Sequence, residues 1–369
     1  MTQAFGSFDD ECVVAYSNVS DIDQSEVRLA TRRSEFDVTD RVNTTDPSAV
    51  EQEVIRIYQK LYSAQSAPLI TRGFADCVRL YRGADARYYA CDTAYHNMQH
   101  VLEVTLAMAR LMDGYEQSRR FAEPLPAELF ELGILTALFH DIGYLRHRKD
   151  TRHRNGAEYT LHHVSRGAYF LDEYMQELGV PQWSRVAGRI IHFTGYEIPA
   201  QRIDVPSPLY RLLGNMLGSA DIVAQMADRC YLEKCRDRLF PEFVWGGLAS
   251  AQGSAPRKPT ALFSSPQDLL HKTPGFYRTA TVRLVDHLGA VFRYAETHFG
   301  GDNLYLEELS KNIRYAERIA EARDTASLRR IPPPKHGVST SMPTSHAGNP
   351  AAVLRDSLGD PGGRLQGKM

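Results

Sequence analysis

Leu129-Phe130-Glu131-Leu132-Gly133-Ile134-Leu135-Thr136-Ala137-Leu138-Phe139-His140-Asp141-Ile142-Gly143-Tyr144 decides how the rest of the chain is read. From Leu129 to Phe139 the only charge is Glu131, and a run this long and this apolar reads as a helix with packing partners on every side. His140 and Asp141 therefore emerge at a buried helix end. An imidazole and a carboxylate there must be hydrogen-bonded, ion-paired or metal-bound, because leaving a buried charge bare costs several kcal/mol.

Outward from this segment, helical periodicity recurs with few strand-like alternations. Val50, Val54, Ile57, Tyr58 and Leu61 form one apolar stripe, preceded by Asp46 as an N-cap and Pro47 in the first turn, where its missing N–H has no helical partner to lose. Further helices are predicted over about 97–113, 126–140, 156–178, 183–193, 207–231, 275–299 and 302–321. The expected fold class is all-α, a multi-helix bundle spanning 46–323. Residues 1–45, rich in Asp, Ser and Thr, read as a flexible tail or loosely docked arm, and 324–369, rich in Pro, Gly and Ser, as a second flexible tail. The Gly- and Pro-rich stretch 241–274 reads as a surface loop insertion. No repeat of fixed period is present.

The 369 residues carry 43 basic and 45 acidic side chains, for a formal net charge of -2, and 43% are hydrophobic. This is globular composition. No long basic block marks a nucleic-acid arm, and no apolar run is long enough for a membrane span. The opening MTQAFGSFDDECVV lacks the basic-then-apolar order of a secretory signal, so a cytoplasmic location is expected. Cys12, Cys77, Cys91, Cys230 and Cys235 are odd in number and show no CxxC spacing, which argues against a disulfide framework or a zinc knuckle.

Four more segments place chemistry on this scaffold. In Tyr95-His96-Asn97-Met98-Gln99-His100 the two histidines share a helix face if the first turn already begins at His96. Such a pair suits a metal but is also common without one. In His162-His163-Val164-Ser165-Arg166-Gly167, His163 falls on the apolar face with Gly167, Phe170 and Leu171, whereas His162 turns sideways, so His163 is the better ligand. Asp221 interrupts the apolar face of Leu213, Leu217, Ala220 and Ala224, a position that suits a cation, an N–H or an arginine. His192 ends another apolar helix, as a ligand or as a core or capping histidine. Arg166 suits a phosphate clamp and a carboxylate cap equally.

The order HNxxH, HD, HH, H and a lone buried D along one helical chain resembles the HD superfamily of metal-dependent phosphohydrolases. YHNMQH and HHVSRGA look especially like the catalytic domain of class I cyclic-nucleotide phosphodiesterases. The resemblance covers roughly residues 90–230. It implies a tighter metal held by His100, His140, Asp141 and Asp221, with Asp141 bridging to a second cation beside His163 and His192. It implies His96 as the proton donor to the leaving oxygen; Asn97 and Arg166 beside these histidines are the candidate substrate contacts. Nitrogen and oxygen ligands admit Zn, Mn, Fe, Ni or Co at the tighter position and Mg or Mn at the second. The stretch after His140-Asp141 lacks the further Asp-His pair of the cyclic-nucleotide enzymes and the GYP of the cyclic-di-GMP subgroup.

The expected activity is hydrolysis of a small phosphoester of nucleotide type, a phosphomonoester or phosphodiester, by metal-activated water. The alternative is a non-catalytic nucleotide-binding or regulatory module. No nucleic-acid polymer or membrane partner is indicated, and assembly into a homo-oligomer is left open. No GxxxxGK[ST], GxSxG or HExxH competes.

Overall fold

The computed structural model describes residues 32–63, 66–250, 261–323 and 325–334. The chain divides between Arg33 and Ser34, and all the helices below belong to the second unit. They are α1 Pro47–Leu61, α2 Pro68–Tyr81, α3 Met98–Ser118, α4 Ala127–Phe139, α5 His163–Glu177, α6 Ser184–Ile191, α7 Pro208–Met226, α8 Tyr231–Lys234, α9 Phe240–Trp245, α10 Pro266–Val282, α11 Tyr294–Phe299 and α12 Leu304–Ala322. Among the described residues β structure is confined to isolated bridges, such as Tyr88 with His147. The fold is all-helical, and no described helix is long and apolar enough to cross a membrane.

α1 begins as its sequence dictates: Asp46 caps it by accepting from Ser48 N, Pro47 opens it, and Val50, Val54, Ile57 and Tyr58 are buried. α4 is buried on every side from Leu129 to Phe139, which the absence of a polar face requires. α3 is buried from Met98 to Tyr115 except at Glu103, and packs against α1, α4, α7 and α11. Its crossing with α11 is close enough that a Cβ on Gly114 would lie 1.8 Å from Tyr294 O, so only glycine fits.

Several boundaries differ from expectation. α2, with Ile70, Phe74, Cys77 and Leu80 buried, has no counterpart among the expected helices. α5 starts at His163 rather than near 156, because Asn155 and Glu158 form a capping box around a separate short 3-10 turn, Gly156–Tyr159. The expected helix 207–231 stops at Met226. The expected helix 275–299 starts earlier, at Pro266 behind the Ser265 cap, and breaks where Gly289 and Ala290 take positive φ. The stretch 241–274, expected as a loop, therefore contributes most of α9 and the first half of α10; residues 251–260 lie outside the described residues.

The terminal expectations change in the same way. Residues 1–31 and 335–369 lie outside the described residues. From Ser34 onward, however, the chain is built in: Asp37 accepts from Arg41 N and Val42 N and pairs with Arg110 inside α3. Arg110 in turn donates to Tyr305 Oη at 3.0 Å. Near the other end, Leu328 is buried and the Pro333 carbonyl accepts from Arg238.

Candidate metal centre

His140 caps the C-terminus of α4, and Asp141 follows at the turn into Ile142–Tyr144. This turn lies directly on the start of α5. A Cβ on Gly143 would sit 1.8 Å from His163 O, so the glycine permits the contact that brings Asp141 and His163 together. His100 comes from the first turn of α3, and Asp221 from α7, which packs on α3.

His100, His140 and Asp141 each offer a ligand atom, all within 4.8 Å of one another and all buried. His100 Nε2 is 3.4 Å from Asp141 Oδ2 and 3.3 Å from Asp221 Oδ1, so Asp221 joins the group through His100. His140 Nε2 lies 3.3 Å from Asp141 Oδ2 and 3.4 Å from His100 Nε2. His163 Nε2 approaches the other carboxylate oxygen, Asp141 Oδ1, at 3.6 Å.

The outer nitrogens fix how the rings present themselves. His140 Nδ1 is 2.8 Å from Ala137 O, and His163 Nδ1 is 2.8 Å from Thr160 O. A carbonyl only accepts, so each Nδ1 carries a hydrogen, and Nε2 is the ring atom left facing Asp141. Yet Asp141 Oδ2 is buried without an aligned hydrogen bond. Imidazole nitrogens and carboxylate oxygens converging around an orphaned carboxylate oxygen are a donor set that fits a divalent cation once the rings deprotonate.

The charges agree with this geometry. Burial opposes a charge on His100, but Asp141 and Asp221 beside it push its pKa up to about 10. Burial likewise opposes ionisation of Asp141, and the facing His140 and His100 hold it well below the usual carboxylate range. His163, farther from the carboxylates, is shifted down by burial.

His96 stands beside this cluster, outside the helix rather than in its first turn. Asn97 is the N-cap of α3: its Oδ1 accepts from Gln99 N at 3.0 Å and His100 N at 3.3 Å, and its Nδ2 donates to Ala94 O at 2.9 Å. These bonds make Asn97 the cap of α3. The His96 ring packs edge-on to His100, with centroids 5.8 Å apart, and stacks on Tyr144 at 4.5 Å. Tyr144 stacks equally on His163, at 4.3 Å.

The residue that sequence reasoning missed is Glu242 of α9, almost completely buried. Its Oε2 lies 2.5 Å from His96 Nδ1, and its Oε1 accepts from Tyr95 N. The signal was there: Glu242 is the one acid in the apolar run Leu239 to Trp245, the same anomaly that marks Asp221, but the Gly- and Pro-rich sequence after it hid the helix.

Two further candidates make contacts outside the cluster. Arg166 donates from Nε to Gly143 O at 2.8 Å and from Nη2 to Leu145 O at 3.0 Å, with its guanidinium 3.5 Å over the Tyr159 ring. It secures the turn after Asp141, and among the described residues no carboxylate pairs with it. His192 ends α6 with Nδ1 3.9 Å from Glu197 Oε2, and among the described residues no hydrogen bond or ion pair joins it to the cluster. Comparison of the chain with protein-family models, curated proteins and solved structures gave no match.

Proposed function

We propose that this chain is a metal-dependent phosphohydrolase of the HD superfamily, acting on a phosphomonoester or phosphodiester of nucleotide type. The observation that carries the reading is Asp141: buried, ionised, and with an Oδ2 that accepts no hydrogen bond while the Nε2 atoms of His100 and His140 close on it. Without a cation the charge on that oxygen is met only by the imidazoles beside it, unaligned for a hydrogen bond, a role that a divalent cation would take over.

His100, His140, Asp141 and Asp221 would hold the tighter cation. His163, whose Nε2 faces Asp141 Oδ1, would be a donor for a second cation. When bound, divalent cations supply Lewis acidity, lowering the pKa of water and neutralising charge that grows on phosphoryl oxygens. The chain's own part is orientation and proton delivery. Glu242 takes the Nδ1 hydrogen of His96 and fixes its ring, leaving Nε2 to deliver a proton to the leaving oxygen. Tyr144 packs on both His96 and His163 and holds their separation. A non-catalytic nucleotide-binding module would need the cation but not the Glu242–His96 pair.

The test is elemental analysis of the purified protein, followed by a screen of phosphoesters with each candidate metal. Asp141→Ala should lose metal and hydrolysis together, whereas His96→Ala should keep metal and lose turnover. Hydrolysis that survives Asp141→Ala overturns the reading.

A further inference from the structure

Between Leu145 and Asn155 the chain runs Arg146-His147-Arg148-Lys149-Asp150-Thr151-Arg152-His153-Arg154, five cations against one carboxylate. Composition averaged over the whole chain conceals this excess. The start of the loop is pinned to the segment before α3: Tyr89 N donates to Arg146 O at 2.9 Å and Arg148 N to Arg87 O at 2.8 Å. Asp150 is used within the loop, accepting from Arg152 N at 2.8 Å and His153 N at 3.2 Å, with His153 Nδ1 2.9 Å from its other oxygen. Just beyond, Glu158 accepts from the backbone of Arg154 and Asn155.

The acids near the loop thus leave part of its charge unmatched. Arg146 pairs with Asp92 at 2.8 Å and Arg148 donates to Gly83 O at 3.1 Å. The side chains of Lys149, Arg152 and Arg154 are exposed and make no ion pair among the described residues. Beside them the ring of Tyr89, 37% exposed, lies 4.8 and 5.0 Å from the guanidinium carbons of Arg146 and Arg148. Planar π groups among free cations are what single-stranded nucleic acid uses, bases stacking while phosphates pair. Residues 146–154 include no apolar side chain to enter a bilayer.

Both ends of the loop are tied to the metal centre. Tyr144 precedes it and stacks on His96 and His163; Thr160, five residues after Asn155, holds His163 Nδ1. Nine residues anchored at both ends reach at most about 15 Å from those anchors, a span of a few nucleotides. We propose that the loop 146–154 docks the phosphate backbone of a single-stranded oligonucleotide, through Lys149, Arg152 and Arg154, so that a phosphoester of that strand enters the His96–Asp141 site. The chemistry of that last step rests on the phosphohydrolase reading; the docking does not.

The test uses the full chain, a fluorescein-labelled oligothymidylate of about eight nucleotides in EDTA, and fluorescence anisotropy. Binding should weaken with salt, with a log–log slope of about -2 for three phosphates neutralised on a single strand. Lys149→Ala, Arg152→Ala and Arg154→Ala together should weaken it at least about tenfold at low salt and flatten that slope. The same variant, loaded with metal, should hydrolyse bis(p-nitrophenyl) phosphate like the parent and keep its helical circular dichroism. No binding by the parent, equal binding by the triple variant, or binding of phosphatidylserine vesicles but not the oligonucleotide overturns the proposal. Oligonucleotide binding by a parent that hydrolyses nothing supports the docking surface and removes the phosphohydrolase reading instead.

Discussion

His96 Nδ1 lies 2.5 Å from Glu242 Oε2, although 146 positions separate the two residues in the chain. The contact joins the approach to α3 to a short helix from a stretch whose composition suggests only a loop, and it sets the orientation of the ring that packs against His100 in the candidate metal group.

Glu242→Gln tests this pairing. The amide preserves shape but no longer pins the ring through a charged acceptor, so kcat should fall by about 10- to 100-fold, a share of what general acid catalysis contributes. Metal content measured by elemental analysis should stay unchanged, since Glu242 faces His96 and not the His100 group. Loss of metal in this variant would count against the assignment.

Metal uptake should release a proton. In the metal-free protein the pKa of His100 is near 10, so the imidazole is charged at neutral pH and must deprotonate to become a ligand. Affinity should therefore rise by up to about tenfold per pH unit between pH 7 and 9. Titration calorimetry in buffers of different ionisation enthalpy measures the released proton directly. The same shift has a stability consequence in the metal-free protein: a raised histidine pKa stabilises the fold below 6.5 and loses that contribution as pH climbs through about 10.

Gly143→Ala should disrupt the centre without removing any donor. The added methyl meets the His163 carbonyl, forcing α5 away from the turn that carries Asp141. Overpacking of this kind costs about 1–3 kcal/mol. A lowered Tm together with weakened metal binding is the expected result, and native metal affinity would contradict it.

Asp37→Ala should be among the most destabilising single changes remote from the metal group. Arg110 is buried within α3 and Asp37 is its charge partner, so the variant strands a cation in the core at a cost of about 3–5 kcal/mol. Denaturant unfolding measures it. A shift under about 1 kcal/mol would mean that the segment from Ser34 is dispensable for folding.

Glu131→Gln should stabilise the protein, but only at higher pH. Burial, and then Glu128, raises the Glu131 carboxyl from an ordinary 4.5 to about 7. Between those values the folded chain holds the proton and the unfolded chain does not, so stability falls as pH rises from 4.5 to 7 and stays low above. At pH 8 the amide should gain on the order of 1–2 kcal/mol after solvent screening, and at pH 4 nothing. Thermal melts at the two pH values check the difference.

Residue type and spacing alone were enough for the helices whose apolar pattern is complete over several turns. α1, α4 and α12 lie close to where periodicity puts them, and the isolation of His140, Asp141 and Asp221 among apolar neighbours marked the candidate donors. Local pattern carries such information because burial of one face or of all faces is imposed residue by residue. Tertiary structure decided the remainder. Whether Arg166 faces a phosphate or a carbonyl, whether Asn97 meets substrate or caps a helix, and which acid holds His96 all depend on elements that meet only after folding. Hydrogen-bond partners are chosen by distance in space, and a side chain with several suitable partners in the sequence keeps only those that packing brings within about 3 Å.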